Sequence, residues 1–546
     1  MPQNFIPADR DQQLLLPPNL KQWLPEGHLA FFVLDAVGSF DLSGFYGAYR
    51  QDGHGRAAFD PAVMVSLLVY AYAIGIRSSR EIERRCKEDV AFRVIAANAG
   101  PDHATICRFR TRFRAELSEL FDEVLRLCAA EGLVRVGVVA VDGTKVAANA
   151  SRAANRDADG IRREVERMLR EAEEIDRQED ELYGVGKRGD ELPEHLAVPG
   201  EARREHLRRR LEELKEQRRG LEERAAEMRE RDELAYRQSH AGRRRGRKPP
   251  RPEPERYERM KTNITDPDSR LMSTPTGFVQ GYNAQVVVTE DQIAIAADVV
   301  CDHNDSAQLE PMLDQAEANL RAANAPRDIG RLLADNGYMN NRIELDRGPE
   351  ILIAPTSRGN LARLDAPSER ADAHAYAQKI AEGQREAQRR AEVLERVERG
   401  EIDMATAKEE LDVSLSQTYV LRDRYRAGGA EALVSRRSIK PPRLTVNQRM
   451  LMAFADDEVQ ALYRRRASSV EPVFGQIKGN LGVRRFLHRG LEACTSEWRL
   501  IVAAHNLAKV WRRRSSASSS PPPARPARPA RPAVTLAYAV RGLQGL

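Results

Sequence analysis

The chain has 546 residues, 41% of them hydrophobic and 31% charged, with 87 Lys plus Arg against 82 Asp plus Glu. That length exceeds one ordinary core, so two to four domains are expected, and the dense but balanced charge makes local arginine clusters more telling than the net charge. No apolar run reaches membrane length, MPQNFIPADRDQQLLLPP lacks a signal-peptide pattern, and the five cysteines form no CxxC pair, which points away from a membrane protein, a zinc knuckle or a disulfide framework and towards a reducing cytoplasm.

Residues 1–130 read as a helical domain. In FDPAVMVSLLVYAYAIG, Asp60 is a candidate N-cap and Pro61 the first helical residue. SSREIERRCKEDVAFRVIAA reads as one further helix. PDHATICRFRTRFRAEL reads as another, capped by Thr105 and bearing Arg108, Arg110, Arg112 and Arg114. Arginines interleaved with Phe109 and Phe113 suit either a helix that grips DNA phosphates or a surface helix with solvated arginines.

From residue 131 the pattern turns to strands. VVAVDGTKVAANAS is a β-branched run that meets an acid, Asp142, just where Gly143-Thr144 suggests a turn, so a strand ending on a carboxylate is expected over 131–154. Residues 155–262 interrupt this. IRREVERMLREAEEIDRQEDEL and EARREHLRRRLEELKEQRRGLEERAAEM carry apolar residues at helical intervals and read as an antiparallel coiled-coil hairpin linked by YGVGKRGDELPEHLAVPG. GRRRGRKPPRPEPER follows as a basic, proline-rich linker, either a solvated spacer or a DNA contact.

Strands resume over 263–360. GYNAQVVVTEDQIAIAADVV reads as a hairpin turning at Glu290-Asp291, SAQLEPMLDQAEANLRAA as a helix, DIGRLLADNGYMN as a short strand ending on Asp335, and EILIAP as the next strand. Residues 361–445 read as a helical insertion: a long charged helix, then a short helix over 405–411, a turn at Asp412-Val413-Ser414 and a second helix over 416–426. That is the helix-turn-helix pattern of DNA-binding modules, although a plain helical hairpin has the same signature. Residues 446–514 contain VEPVFGQIKGNLGVRRFLHRG, where Pro472 predicts a helix start or kink at Glu471. Residues 515–546 carry an Ala-Arg-Pro repeat and are expected to be disordered.

Strand with Asp142, hairpin, helix, strand with Asp335, strand, helix near Glu471: this is the element order of an α/β, ribonuclease-H-like mixed sheet with flanking helices, preceded by an all-α N-terminal domain and interrupted by helical insertions. Three carboxylates at one sheet edge repel one another unless divalent cations neutralise them, and Asp and Glu oxygens are the hard ligands that Mg²⁺ or Mn²⁺ prefers.

The blocks WLPEGHLAFFVLDAV, YAYAIGIRSSREIERRC, PDHATICRFR, VDGTKVAANAS, TDPDSRLM with GYNAQ, LADNGY and VEPVFGQIKGNLGVRRFLHRG occur in this order between residues 20 and 512. Together they resemble the DDE transposases of bacterial insertion sequences. The resemblance implies Asp142, Asp335 and Glu471 as catalytic acids holding two Mg²⁺ or Mn²⁺ ions. It carries the family's Tyr, Arg, Glu and Lys pattern onto Tyr463, Arg466, Glu471 and Lys478, with Arg466 one residue further from the glutamate than the usual spacing. Lys478, Arg466 and Tyr463 would then meet DNA, as would Arg108, Arg110 and Arg112, and Tyr282, Asn283 and Gln285 of the GYNAQ block. The implied partners are double-stranded DNA, both the element's terminal inverted repeats and a target, bound by a homodimer or higher oligomer at the nucleoid of a bacterial cytoplasm. The implied reaction is cleavage at the element's ends followed by strand transfer. The rival readings are a catalytically inactive or domesticated DNA-binding protein, using the helix-turn-helix and coiled-coil segments, and a nuclease of the same fold without strand transfer.

Overall fold

Helices come first in the chain, and a sheet centred on one long apolar strand follows. The computed structural model describes residues 20–49, 58–183, 194–241, 251, 253–340, 342–345, 348–355, 367–433 and 446–518. Helices α1 (Leu29–Gly38), α2 (Ser43–Gly47), α3 (Pro61–Ala73), α4 (Ser79–Glu88), α5 (Val90–Ile95), α6 (His103–Arg112) and α7 (Arg114–Ala130) make the N-terminal region all-helical. α3 starts as expected: Pro61 sits in the first turn, where its missing N–H is no loss, and the Asp60 carboxylate accepts from Ala62 N at 2.8 Å. SSREIERRCKEDVAFRVIAA is not one helix but two, because the Asp89 carboxylate accepts from Ala91 N and caps α5 afresh. Thr105 does not cap α6; Asp102 does, accepting from Thr105 N at 2.6 Å. α6 ends before Phe113, so Arg114 belongs to α7 and the four arginines do not share one helix.

The strands are β1 (Val138–Ala147), β2 (Asn155–Arg156), β3 (Thr262–Asn263), β4 (Arg270–Thr274), β5 (Gly277–Thr289), β6 (Ala294–Val300), β7 (Arg331–Ala334) and β8 (Glu350–Ile353). The main sheet runs β4-β5-β1-β7-β8 with β6 also paired to β5, and β2 and β3 form a separate ladder. β5 is antiparallel to β1, β4 and β6, whereas β7 lies parallel to both β1 and β8. This mixed sheet flanked by helices is a ribonuclease-H-like arrangement. β5 and β6 are the expected hairpin, with Gln292 at φ 64° in its turn.

The expected turn at Asp142-Gly143 is absent. β1 continues to Ala147 because β5 pairs with it residue by residue, Asp142 opposite Val286 and Gly143 opposite Gln285. Asp142 therefore stands inside a strand, not at its tip.

α8 (Ala158–Tyr183), α9 (Glu194–Ala241) and α10 (Pro254–Glu258) are inserted between β2 and β3. Ile161, Met168, Leu214 and Leu221 of α8 and α9 share a small core of their own. α9 begins inside the stretch expected to link the two helices and runs on past Met228; residues 184–193 and most of the basic linker lie outside the described residues. After β6 come α11 (Leu309–Ala322) and, beyond β8, α12 (Pro367–Glu398), α13 (Met404–Leu411), α14 (Leu415–Ala432), α15 (Val446–Ala453), α16 (Asp457–Gly475) and α17 (Leu491–Ser518). α17 packs against α3, α7 and β6, and its buried Trp498 donates Nε1–H to Gln285 O at 3.0 Å. This helix joins the N-terminal helices to the sheet: buried Glu497 accepts from Arg77 at 2.7 Å. α17 also carries on past Ser515, and the repeat-bearing residues 519–546 lie outside the described residues. Among the described residues, no helix is long and apolar enough to cross a membrane.

Candidate active site

β1 pairs with β7 so that Val138 meets Arg331 and Ala140 meets Leu333; carried two residues further, the same register sets Asp335 beside Asp142. Asp335 ends β7 because its carboxylate accepts from Gly337 N at 3.0 Å, capping a short turn over Asn336–Tyr338. The Asp142 carboxylate is largely buried, 17% exposed, accepting from Arg466 at 2.9 Å on one oxygen and from Gly143 N at 2.9 Å on the other. Burial pushes this carboxyl up to about 6. The Arg466 guanidinium and the Gly143 amide oppose that, while the charges of Asp335 and Asp305 reinforce it. The two strand acids are thus electrostatic neighbours, and their repulsion is partly answered by an arginine.

That arginine comes from α16. Tyr463, Arg466, Val470, Val473 and Ile477 form the buried side of this segment, at the three- and four-residue intervals of one helix face. Tyr463 donates its hydroxyl to Ala334 O at 3.1 Å, bracing the residue before Asp335. Glu471 lies on the exposed side of α16. The helix does not start at Glu471, one of the two expected outcomes; Pro472 lies inside α16. A proline removes one N–H from the ladder and leaves the carbonyl four residues back unpaired. Here that carbonyl, Ser468 O, accepts from Gln292 of the β5–β6 turn at 3.1 Å, so the helix passes through Pro472 and loosens into a π-turn over Gln476–Asn480. Lys478 rides on that turn. Its ammonium donates to Thr144 Oγ1 at 2.6 Å and to Lys145 O at 2.9 Å, and burial lowers its pKa. Among the described residues, no three acid, histidine or cysteine side chains stand together as a metal cage, so Asp142 and Asp335 are brought together without Glu471 completing a cluster.

On the other face of β1 lies a polar network that ties Asn283 and Gln285, expected to meet DNA, to Asp305 and Tyr338, which the sequence did not mark as site residues. Asn283 and Gln285, both fully buried, donate side-chain N–H groups to Asp305 Oδ1 at 2.6 and 2.7 Å. Tyr338 donates to Gln285 Oε1 across Gly143. A Cβ at position 143 would run into Gln285 Nε2, Asp305 Oδ1 and Asn283 Oδ1, so this glycine serves close packing inside a strand, not a turn. Asn283 and Gln285 accordingly face protein partners rather than an outer surface. The same holds for Tyr282, fully buried and donating to Asp266 Oδ1 at 2.6 Å. Asp266 and Asp268 of TDPDSRLM accept from Gly490 N and Leu491 N and so brace the start of α17.

The arginines of α6 divide. Arg110 is 6% exposed and donates to Tyr72 Oη, to Arg77 O at 2.7 Å and to Ser79 Oγ. Arg108 and Arg112 are exposed; Arg112 donates to Ala48 O and lies over the Tyr49 ring.

In kind, the donors suit a hard divalent cation. Asp142 and Asp335 supply carboxylate oxygens close enough for their charges to act on one another, with Asp305 near enough to act on both Asp142 and Tyr338. Arg466 now supplies the positive charge such an ion would bring. Compared with known families, residues 18–112 match the family described as Transposase domain (DUF772), and residues 430–511 match the Transposase DDE domain. No curated protein and no solved structure matches the chain. The two matched segments cover less than half of the sequence, but one contains α6 and the other contains Tyr463, Arg466, Glu471 and Lys478. Segments that match transposase family models therefore lie both before the sheet and across the helix that carries Arg466 to Asp142.

Proposed function

We propose that the chain is a DDE transposase that cuts DNA at the ends of an insertion sequence and joins those ends to target DNA. The observation that carries this reading is Asp142 beside Asp335 on a ribonuclease-H-like sheet, faced by a helix of transposase-family sequence. Asp142, Asp335 and Glu471 would hold two Mg²⁺ or Mn²⁺ ions, which when bound favour attack and neutralise the leaving oxygen. Arg466, relieved of Asp142, then has a guanidinium free for a DNA phosphate. Glu471 lies in the same helix as Arg466, directly before Pro472 and one turn ahead of the π-turn over Gln476–Asn480. In the first displacement a water oxygen bonds to phosphorus, the P–O3′ bond breaks, and the departing oxygen leaves as a 3′-hydroxyl. In the second, that hydroxyl's oxygen bonds to a target phosphorus as its proton passes to solvent, a target P–O3′ bond breaks, and the departing 3′-oxygen takes up a proton from solvent to leave as a hydroxyl.

On this reading residues 1–130 form a DNA-binding domain, and 131–154, 263–360 and 446–514 the catalytic domain. Residues 155–262 and 361–445 are insertions, and 515–546 a tail. A dimer or larger oligomer holds the two element ends in the bacterial cytoplasm. The second reading, a DNA-binding protein without catalysis, draws support from the closed Arg466–Asp142 pair and from the lack of a three-acid cluster among the described residues.

One experiment separates them. A plasmid carrying the gene with its flanking DNA is incubated with the purified chain and Mg²⁺ or Mn²⁺. Breaks at fixed positions bounding the gene, together with joined products, are expected, and Asp142→Asn, Asp335→Asn and Glu471→Gln should each abolish both while DNA binding survives. Breaks without joining would indicate a nuclease, and binding without breaks the second reading.

A further inference from the structure

Two lysines have their ammonium groups at β1 beyond Asp142, and they differ in what they hold. Lys478 has spent its ammonium on protein acceptors, Thr144 Oγ1 and Lys145 O. Lys145, three residues after Asp142 on β1, has an enclosed ammonium that makes no hydrogen bond, in a side chain only 19% exposed. Its nearest acid is Asp305, at 3.8 Å, and the charges of Asp335, Asp142 and Asp302 also act on it. An enclosed cation with three unused N–H groups is a costly arrangement that a folded chain retains only under constraint.

The constraint is visible around Asp305. Its Oδ1 is fixed by the amides of Asn283 and Gln285, Gln285 is fixed in turn by Tyr338, and bare Gly143 leaves the room for all of them. This network, built from two strands and two loops, holds one negative charge against the Lys145 ammonium. Asn283 Oδ1 is likewise buried without a donor.

We propose that Lys145 is a further catalytic residue, the cation that meets a non-bridging oxygen of the phosphate under attack, and that Asp305, which flanks Gly337 together with Asp335, is the positioning residue that keeps it near Asp335 on the face of β1 opposite to Asp142. The proposal rests on the transposase reading above. In the resting protein the aspartates and Lys145 balance one another. Once divalent ions neutralise the carboxylates, the lysine loses that attraction, and its four-carbon stem can carry the ammonium to the phosphate. It donates hydrogen bonds there and forms or breaks no covalent bond. The same geometry makes Lys145 a competitor of the divalent ion in the absence of DNA.

The test uses the full chain with Lys145→Met, Lys145→Arg, Asp305→Asn and the Lys145→Met/Asp305→Asn double variant, assayed on the plasmid carrying the gene and its flanks. Mn²⁺ binding to each protein is titrated without DNA. Lys145→Met should cut about a hundredfold more slowly, the usual cost of removing one transition-state donor, and should bind Mn²⁺ more tightly than wild type. Lys145→Arg should recover part of the rate. Asp305→Asn should slow cutting in the wild-type background but not in the Lys145→Met background, since a residue acting through another adds nothing once that other is gone. Cutting by Lys145→Met within threefold of wild type would overturn the proposal. So would unchanged Mn²⁺ affinity together with additive losses in the double variant, the pattern of two packing residues. A wild-type chain that neither binds Mn²⁺ nor cuts would overturn the transposase reading and the proposal with it, whereas an active wild type with an indifferent Lys145 would overturn the proposal alone.

Discussion

Arg110 donates to three partners inside the N-terminal helices, while Arg108 and Arg112 of the same helix face outward. Arg110→Ala should therefore cost on the order of 3 kcal/mol of stability, read as a lower melting temperature, by leaving buried acceptors unpaired. Arg108→Ala with Arg112→Ala should leave stability nearly unchanged but flatten the salt dependence of DNA binding, since a protein that neutralises fewer phosphates releases fewer counterions. An unchanged slope would remove α6 from the DNA interface. The helical period already held this division: residues 108 and 112 are one turn apart, and 110 lies across the helix from them. Counting arginines along the chain hides it. His505 shows a residue property that the sequence does not carry. Burial holds its imidazole down at about 4, and its Nε2–H donates to Gln292 O at 3.0 Å. The unfolded chain takes a proton below about 6.5 that the folded chain refuses until about 4, so stability should fall as pH drops through that window, by about 3 kcal/mol. Chemical unfolding at pH 7 and pH 4.5 checks this; a His505→Gln variant with the same pH dependence as wild type would assign the loss to other groups.

Elements are most readable where one local signal acts alone, and least where a distant strand or side chain overrides it. The α3 cap, the β5–β6 hairpin and the strand that ends at Asp335 follow from capping acids, turn residues and β-branched runs. β1 runs through its Asp-Gly pair because β5 extends along it, and α16 runs through Pro472 because Gln292 takes the freed carbonyl. Neither partner is near in sequence. The helix pair α13 and α14 is readable, since the signal is local: Asp412 adopts the left-handed conformation at φ 51°, ψ 50°, and Val413 packs into the small core that these helices share with α12. α14 then exposes Leu415, Tyr419 and Val420. If this module docks on duplex DNA through α14, as the helix-turn-helix pattern implies, replacing Gln417 and Tyr419 with Ala should weaken duplex binding of the full chain at low salt without lowering its melting temperature. Equal affinity would leave a helical insertion with no DNA role. Asp412→Gly should be tolerated or slightly stabilising, because glycine adopts the left-handed turn at no steric cost, whereas Asp412→Val should destabilise the module.

For the molecule as a whole, the sheet gathers negative charge that its own cations balance. Asp142, Asp335 and Asp305 come from β1, from the end of β7 and from the loop between β6 and α11, and the chain answers with Arg466 and Lys145. The order of strands and acids makes the first two readable as a pair; Asp305, Lys145 and the role of Gly143 emerge only from cross-strand register. Arg466 is the larger counterweight, 4% exposed with its Nη2 on Asp142 Oδ2. Arg466→Met removes it and leaves a mostly buried carboxylate facing a second acid, which should cost on the order of 3 kcal/mol in the absence of divalent ions. Mn²⁺ should then restore more stability to this variant than it adds to wild type, because the ion no longer competes with a guanidinium. For wild type, Mn²⁺ at a hundred times its dissociation constant should add about 2.7 kcal/mol, and Asp142→Asn or Asp335→Asn should reduce that gain by removing a ligand charge. Melting curves of the four proteins with EDTA and with a Mn²⁺ series provide the comparison. A Mn²⁺ response in Arg466→Met no larger than in wild type would mean that the arginine is a structural clamp and not the occupant of the cation's place. A response untouched by both aspartate substitutions would place the cation elsewhere in the molecule.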